Sequence, residues 1–432
     1  MQQREDKMRH QTKWMIAAGV LLIVLGVAWL ALVRLVPSDE ELARRAAAEL
    51  QSRLGVPVKI GALRWTLLPV PAVVLEDLAT GQPEPISMKK LTIYPSLTDL
   101  IDGRLKVERA EVETAVLPQL ALRGLNKAGE TASLGSTATP LARLVFRDVT
   151  WISRFGRPLV FDGEVDFDPN WRPRDVQLRR PAVEPLTRLT LARQGQEDRW
   201  TTRIDLGGGT ANGEVQLETR AKGRLHLTGT LAPQGVEVSS ALAAFDRRSL
   251  VSGKASGNTG LSATGDTIGE LAQSLHTRTS FSMGKGTLLK MDVNKAIRSL
   301  GKERAGQTAM DAITGQLDTQ NTARGMVVNL SNIRATSGVF SASGKAKIAS
   351  RQVEGEFAVD LVDGIVGVPL LVSGPLNKVE ISVPRSAIVG AAVGTAILPG
   401  VGTAIGARVG AALGQIFAPG TSGGPAPTPK KP

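Results

Sequence analysis

Apolar and polar residues alternate with period two along much of the chain, most cleanly in its later part. Phe340, Ala342, Gly344, Ala346 and Ile348 fall on one side, and Ser341, Ser343, Lys345 and Lys347 on the other. Val353, Gly355, Phe357, Val359 and Leu361 continue the pattern against Glu354, Glu356 and Asp360. Val368, Leu370 and Val372 follow, then Val379, Ile381 and Val383. Period two marks a strand whose two faces meet different surroundings, and short gaps between such runs predict an antiparallel meander. Earlier in the chain the phase slips. Val56, Val58 and Ile60 alternate, then Leu63, Trp65 and Leu67 do so in the opposite phase. Gly61 lies at the change, which predicts a β-bulge there. Leu105 and Val107, then Ala110 and Val112, slip in the same way. Phe161, Gly163, Val165 and Phe167 share one strand face, opposite Asp162, Glu164, Asp166 and Asp168.

Helical spacing is rarer. Ser38 and Glu41 form a capping box ahead of Leu42 and Leu50, and Gly55 and Pro57 end that helix. Short helices are predicted over 267–276, carrying Ile268, Leu271 and Leu275, and near 292–300. So little helix leaves one sheet face apolar and uncovered, so the sheet closes on itself, packs on a second sheet or holds an apolar ligand. For the last case the candidate lining is Phe340, Ala342, Ile348, Val353, Phe357, Val359, Leu361, Val368 and Leu370.

Two segments break the β pattern. Trp14 to Val33 carries no charge and is almost wholly apolar. At helical rise it spans about 30 Å, the thickness of a bilayer core. Arg4, Lys7, Arg9 and Lys13 precede it, which predicts an uncleaved anchor with a cytoplasmic N-terminus and the main body across the membrane. From Ser386 to Ala418 the only charge is Arg408, and Pro399-Gly400 divides two short helical halves. Gly402, Gly406, Gly410 and Gly414 recur every four residues, a stripe that lets helices approach closely. Residues 419–432 read as disordered.

The predicted organisation is thus a cytoplasmic tail (1–13), an anchor (14–34), two β regions (38–210 and 211–384), a glycine-zipper hairpin (385–418) and a tail (419–432). The fold class is mainly β: an N-terminal transmembrane helix, then an elongated, curved antiparallel sheet with few short helices. The net charge of +12 changes the list of partners more than the fold. Its lysines and arginines are scattered and not interleaved with aromatics, which argues against nucleic acid and for anionic lipid headgroups. With no cysteine in 432 residues, disulfides, thiolate metal sites and cysteine nucleophiles are excluded. One tyrosine, six tryptophans and nine phenylalanines leave any large apolar surface mostly aliphatic.

Candidate chemistry is sparse. Of three histidines, His10 precedes the anchor, His226 sits on the polar side of a Leu225-Leu227-Leu231 strand, and His276 ends a predicted helix. Gly207-Gly208-Gly209 reads as a turn, since no lysine-bearing helix follows. Asp162, Glu164, Asp166 and Asp168 are the best metal candidates. Alternate strand residues lie nearly 7 Å apart, however, so a solvated strand face is the better reading. No enzyme, cofactor or metal is expected.

The ordered features resemble the AsmA family of Gram-negative envelope proteins. An anchor and a capped helix lead to Gly55-Val56-Pro57-Val58 and then Leu63-Arg64-Trp65. Gly265, Leu271 and Leu275 precede a strand at Phe281 to Gly286 leading to Met291-Asp292. Leu330 to Ile333, Gly338 to Gly344 and Val368 to Leu376 complete the order. The resemblance covers most of residues 14–384, with little signature over about 125–210. It implies an inner-membrane anchor, a periplasmic sheet curved into an apolar groove, and a role in phospholipid traffic and outer-membrane biogenesis or homeostasis. The expected partners are phospholipid or another acyl lipid, the inner membrane and envelope proteins. The alternative function is a non-catalytic scaffold or assembly factor acting through protein contacts.

Overall fold

A computed structural model describes residues 39–382, apart from 67–69, 97, 100–105, 123–140, 170–171, 267, 300, 323 and 362–367. The expected anchor at Trp14 to Val33 and the glycine stripe at Gly402, Gly406, Gly410 and Gly414 lie outside the described residues. Among the described residues no helix is long and apolar enough to cross a membrane. The fold is mainly β, a large mixed sheet with few helices, and the chain divides into two compact units.

The first unit comprises the chain up to Gly286 together with Gln316–Val328. It opens on helix α1 (Asp39–Leu54), whose first turn holds Asp39, Glu40 and Glu41. Gly55 ends it at φ 67° with its N–H on the Gln51 carbonyl, the left-handed stop that a glycine makes without a Cβ penalty. Strands β1 (Val58–Lys59) and β2 (Ala62–Thr66) both pair with β3 (Ala72–Thr80), which pairs with β4 (Ser87–Pro95), and β4 with β5 (Val107–Pro118). Leu42, Ala46 and Leu50 of α1 bury themselves against Leu63, Leu75, Leu91 and Ala110, so this end of the sheet has a closed core.

The expected bulge at Gly61 is corrected. Lys59 faces Ala79 and Ala62 faces Glu76, so no extra residue is inserted on either strand. The phase changes on both strands together, because Asp77 opposite Gly61 takes φ 53°. The Gly61 N–H is shared between the Glu76 and Asp77 carbonyls, and a Cβ there would lie 2.9 Å from the Asp77 Cβ.

The same feature crosses the sheet. Thr114 has φ 51° and, on β6 (Leu141–Ile152), Asp148 has φ 54°. The flanking registers put Asp77, Lys89, Thr114 and Asp148 in one row. The Thr114 hydroxyl donates to Asp148 Oδ2 at 3.0 Å. On either side of this crease Leu75 and Leu78, then Val112 and Ala115, are three apart yet face one core.

A second correction concerns topology. β5 and β6 run parallel, so the sheet is mixed and not a pure antiparallel meander. A parallel pair needs a long connection, and β5 ends at Pro118 well before β6 begins at Leu141.

From β6 the pairing is antiparallel through β7 (Pro158–Phe167), β8 (Pro173–Arg179), β9 (Arg188–Arg193), β10 (Arg199–Leu206), β11 (Gly209–Thr219) and β12 (Leu225–Gln234). After β13 (Val236–Glu237), helix α2 (Val238–Ala243) is capped by the Glu237 carboxylate. β14 (Val251–Gly265) pairs with both β12 and β13. Helix α3 (Ile268–Ser274) then places Leu271 on Trp200, Leu217, Leu225 and Ala263, forming a second core. It ends before His276, the first residue of β15 (His276–Leu288), not the last of a helix as expected.

The second unit, Thr287–Gly315 and from Asn329 onward, holds helix α4 (Val293–Arg298), with Asp292 Oδ1 accepting from the Lys295 N–H at 2.9 Å. β16 (Thr308–Met310) follows, and β17 (Ala312–Thr322) and β18 (Gly325–Ser337) begin and end in this unit respectively. β19 (Phe340–Ala349), β20 (Gln352–Leu361), β21 (Val368–Pro375) and β22 (Glu380–Ser382) form the meander that the alternation predicts.

Candidate functional site

The predicted lining residues of the second unit do share one face. Phe340 opposes Leu361, Ala342 opposes Val359 and Val359 opposes Val368, while Phe357 opposes both Gly344 and Leu370. That face is not open where it is most apolar. Val293, Ala296 and Ile297 of α4 lie on it, and Phe340, Val359, Leu361, Val368 and Leu370 are core residues beneath them. Val353 is also buried, whereas Ala342, Ile348 and Phe357 are half-buried. The Phe357 ring crosses two glycines: a Cβ at Gly344 would lie 2.5 Å from it, and one at Gly355 3.0 Å. Five of the nine predicted lining positions thus lie in the helix-capped core.

A more accessible apolar face lies in the first unit, in the stretch whose sequence carried least signature. Register links Phe146, Gly163, Leu178, Leu189, Ile204 and Ala211 in one row across six strands. The neighbouring row runs Leu144, Val165, Val176, Leu191, Thr202, Gly213 and Leu231. At one side Leu144 and Phe146 pack on the α1 core, and at the other Leu191, Val215 and Leu227 pack on the α3 core. Between them Val165, Leu178, Leu189, Ile204 and Leu231 are half-buried and belong to neither core. Glycines deepen this floor, since a Cβ at Gly213 would meet the Thr230 carbonyl at 1.9 Å.

Long-range hydrogen bonds tie the β6–β7 turn and the residue after β8 to distant segments of the unit. Arg157 donates to the Asp246 carbonyl at 2.8 Å and Arg180 to that of Ala244 at 2.5 Å. Arg154 donates to the carbonyl of Thr322. At the far rim Arg193, its side chain 2 % exposed, is held by Asp168 at 2.7 Å and lies 3.5 Å from Asp198. Arg172 reaches the same two carboxylates. Burial pushes the Asp198 carboxyl above the ordinary range, against the pull of Arg172 and Arg193.

The opposite face is charged and internally paired. Asp162 accepts from Arg179 at 3.0 Å, and Arg143 binds Glu164 at 2.5 Å and Asp166 at 3.7 Å. These pairings raise the Arg143 pKa, chiefly through the Glu164 hydrogen bond. The acidic row thus meets arginines on the next strands, and among the described residues no group of acidic or histidine side chains is arranged to hold a metal ion. A cavity of about 320 Å³ opens here beside Arg147, Asp162, Arg179 and Arg188. His226 stands on this face opposite Glu218 and Thr264, half-buried, with no hydrogen-bond partner at Nδ1. His276 pairs across strands with Asp318 at 2.8 Å. That hydrogen bond holds the Asp318 carboxyl below its ordinary range.

No protein family, curated protein or solved structure matches this chain.

Proposed function

We propose that this chain is a membrane-anchored lipid-binding and lipid-transfer module of the AsmA type. In this reading Trp14 to Val33 anchors it in the inner membrane, and the β-rich body lies in the periplasm and carries phospholipid for outer-membrane maintenance. One observation carries the proposal: the half-buried apolar floor of Val165, Leu178, Leu189, Ile204 and Leu231, set between two helix-capped cores. An acyl chain needs no directional partner, only apolar surface withdrawn from water, at about 0.8 kcal/mol per buried methylene. The charged outer face and the contacts of the β6–β7 turn support a sheet curved into a trough around that floor.

The test is native mass spectrometry of the full-length chain extracted in mild detergent. The expected result is co-purified phospholipid in wild type. Ile204→Asp puts a carboxylate among the acyl chains, at a cost of several kcal/mol, and lipid occupancy should fall about tenfold or more. Asn212→Asp, on the exposed charged face, should leave it unchanged. A folded Ile204→Asp chain with full lipid occupancy refutes the proposal.

A further inference from the structure

Four segments of the first unit, far apart in sequence, meet in one patch. They are the β6–β7 turn, the connection from Arg180 to Thr187, helix α2 with the residues after it, and the turn at Thr322. Arg157 binds Asp246, Arg180 binds Ala244 and Arg154 binds Thr322, each through a backbone carbonyl. Phe155 approaches Gly325, and Pro185 approaches Gly208 in the β10–β11 turn, whose Gly207 carbonyl accepts from the Glu237 N–H just before α2.

This patch collects half of the large hydrophobics that stand out into solvent among the described residues: Phe155 (51 % exposed), Leu186, Leu242, Phe245 and Met326 (52 %). Exposed apolar side chains scattered singly need no explanation, but a contiguous group does. The same segments carry six arginines, Arg154, Arg157, Arg180, Arg247, Arg248 and Arg324, against two carboxylates, Glu184 and Asp246. Arg248 and Arg324 are exposed.

We infer that this patch docks onto an anionic phospholipid bilayer. The five apolar side chains enter the headgroup boundary, and the exposed Arg248 and Arg324 pair with lipid phosphates. The chemistry fits on both counts: an apolar tip alone would suit any hydrophobic partner, whereas the excess of guanidinium charge selects an anionic surface. The guanidiniums bound to backbone carbonyls tie the segments together, so the apolar side chains stand on linked parts of the chain. The inference rests on the lipid-carrying reading above, to which it adds the surface through which the body meets a membrane other than the one holding its anchor.

The experiment uses the full chain held by its apolar segments in phosphatidylcholine nanodiscs. Acceptor vesicles of phosphatidylcholine, with or without phosphatidylglycerol, are pelleted, and co-sedimenting protein is measured. The chain has no cysteine, so Phe245→Cys and Met326→Cys each accept a single environment-sensitive fluorophore. The expected result is co-sedimentation with the anionic vesicles only, weakened by salt, with a blue-shifted emission from both labels. Arg248→Glu with Arg324→Glu should reduce it at least about tenfold. Arg147→Glu with Arg188→Glu, the same charge change on the outer face, should not. Equal binding to neutral vesicles, or equal loss in both charge variants, overturns the inference. So does disulfide pairing of Phe245→Cys chains without vesicle binding, which would assign the patch to a second copy. Bound phospholipid, measured on the same samples, separates the two proposals: a chain that carries lipid but does not dock fails only this one.

Discussion

The ring of Phe357 lies across Gly344 and Gly355, and a Cβ on either would collide with it or press against it. Phe146 does the same for its register partner Gly163, where a Cβ would lie 2.6 Å from the ring. An aromatic over a glycine covers backbone that would otherwise be exposed, so these pairs tighten the sheet. Phe357→Asp removes the cover and sets a carboxylate beside the α4 core. The expected cost is about 3 kcal/mol or more, read as loss of folded protein by chemical denaturation. Glu356→Lys, on the exposed side, should stay near wild type. A second residue-scale expectation concerns acid. Asp318 is held below its ordinary range by His276, so its contribution to stability is present above the ordinary carboxylate range. It is lost as pH falls through the lowered value. Asp318→Asn should lack that acid-side loss, as seen by comparing the pH dependence of unfolding midpoints. An unchanged acid limb would show that the pair contributes nothing.

At the scale of elements, the crease through Asp77, Thr114 and Asp148 accounts for the slip at Gly61, whereas the slip between Val107 and Ala110 is a register shift on β5, where Tyr94 opposes Arg109 and Pro95 opposes Val107. The slip at Gly61 was legible in the hydrophobic pattern; its cause was not, because a left-handed Asp or Thr leaves no mark in that pattern. Gly61→Ala should destabilise the first unit by about 1–3 kcal/mol, since the new methyl meets the Asp77 Cβ. Thermal or urea unfolding would measure it, and a neutral result would show that the crease relaxes freely. The strands from Phe340 to Leu361 were legible because their alternation is unbroken. The half-buried floor was harder to read, because Gly163, Thr202, Gly213 and Gly229 interrupt its aliphatic residues. What could have found it is the regular return of Leu144, Val165, Val176, Leu191 and Leu231 across strands of charged alternates. The parallel pairing of β5 with β6 and the short helix after Glu237 had no local signal of comparable strength.

At the scale of the molecule, covering helices decide where an apolar sheet face is core and where it is surface. α1, α3 and α4 each close one stretch, and the periodicity is strongest in the strands beneath α4, where it leaves a closed core and an open groove equally possible. Strong periodicity reports that one face is apolar; it does not report what lies on that face. The central claim is that lipid occupies the floor between the α1 and α3 cores. Its most direct test is site-specific photocrosslinking in the full chain, with a benzophenone side chain at Ile204 or at the adjacent Arg203 and a radiolabelled phospholipid supplied in vesicles. The account predicts labelled lipid on the chain with the probe at 204 and none with it at 203. Equal labelling at both positions, or none at 204 in a folded chain, would contradict it.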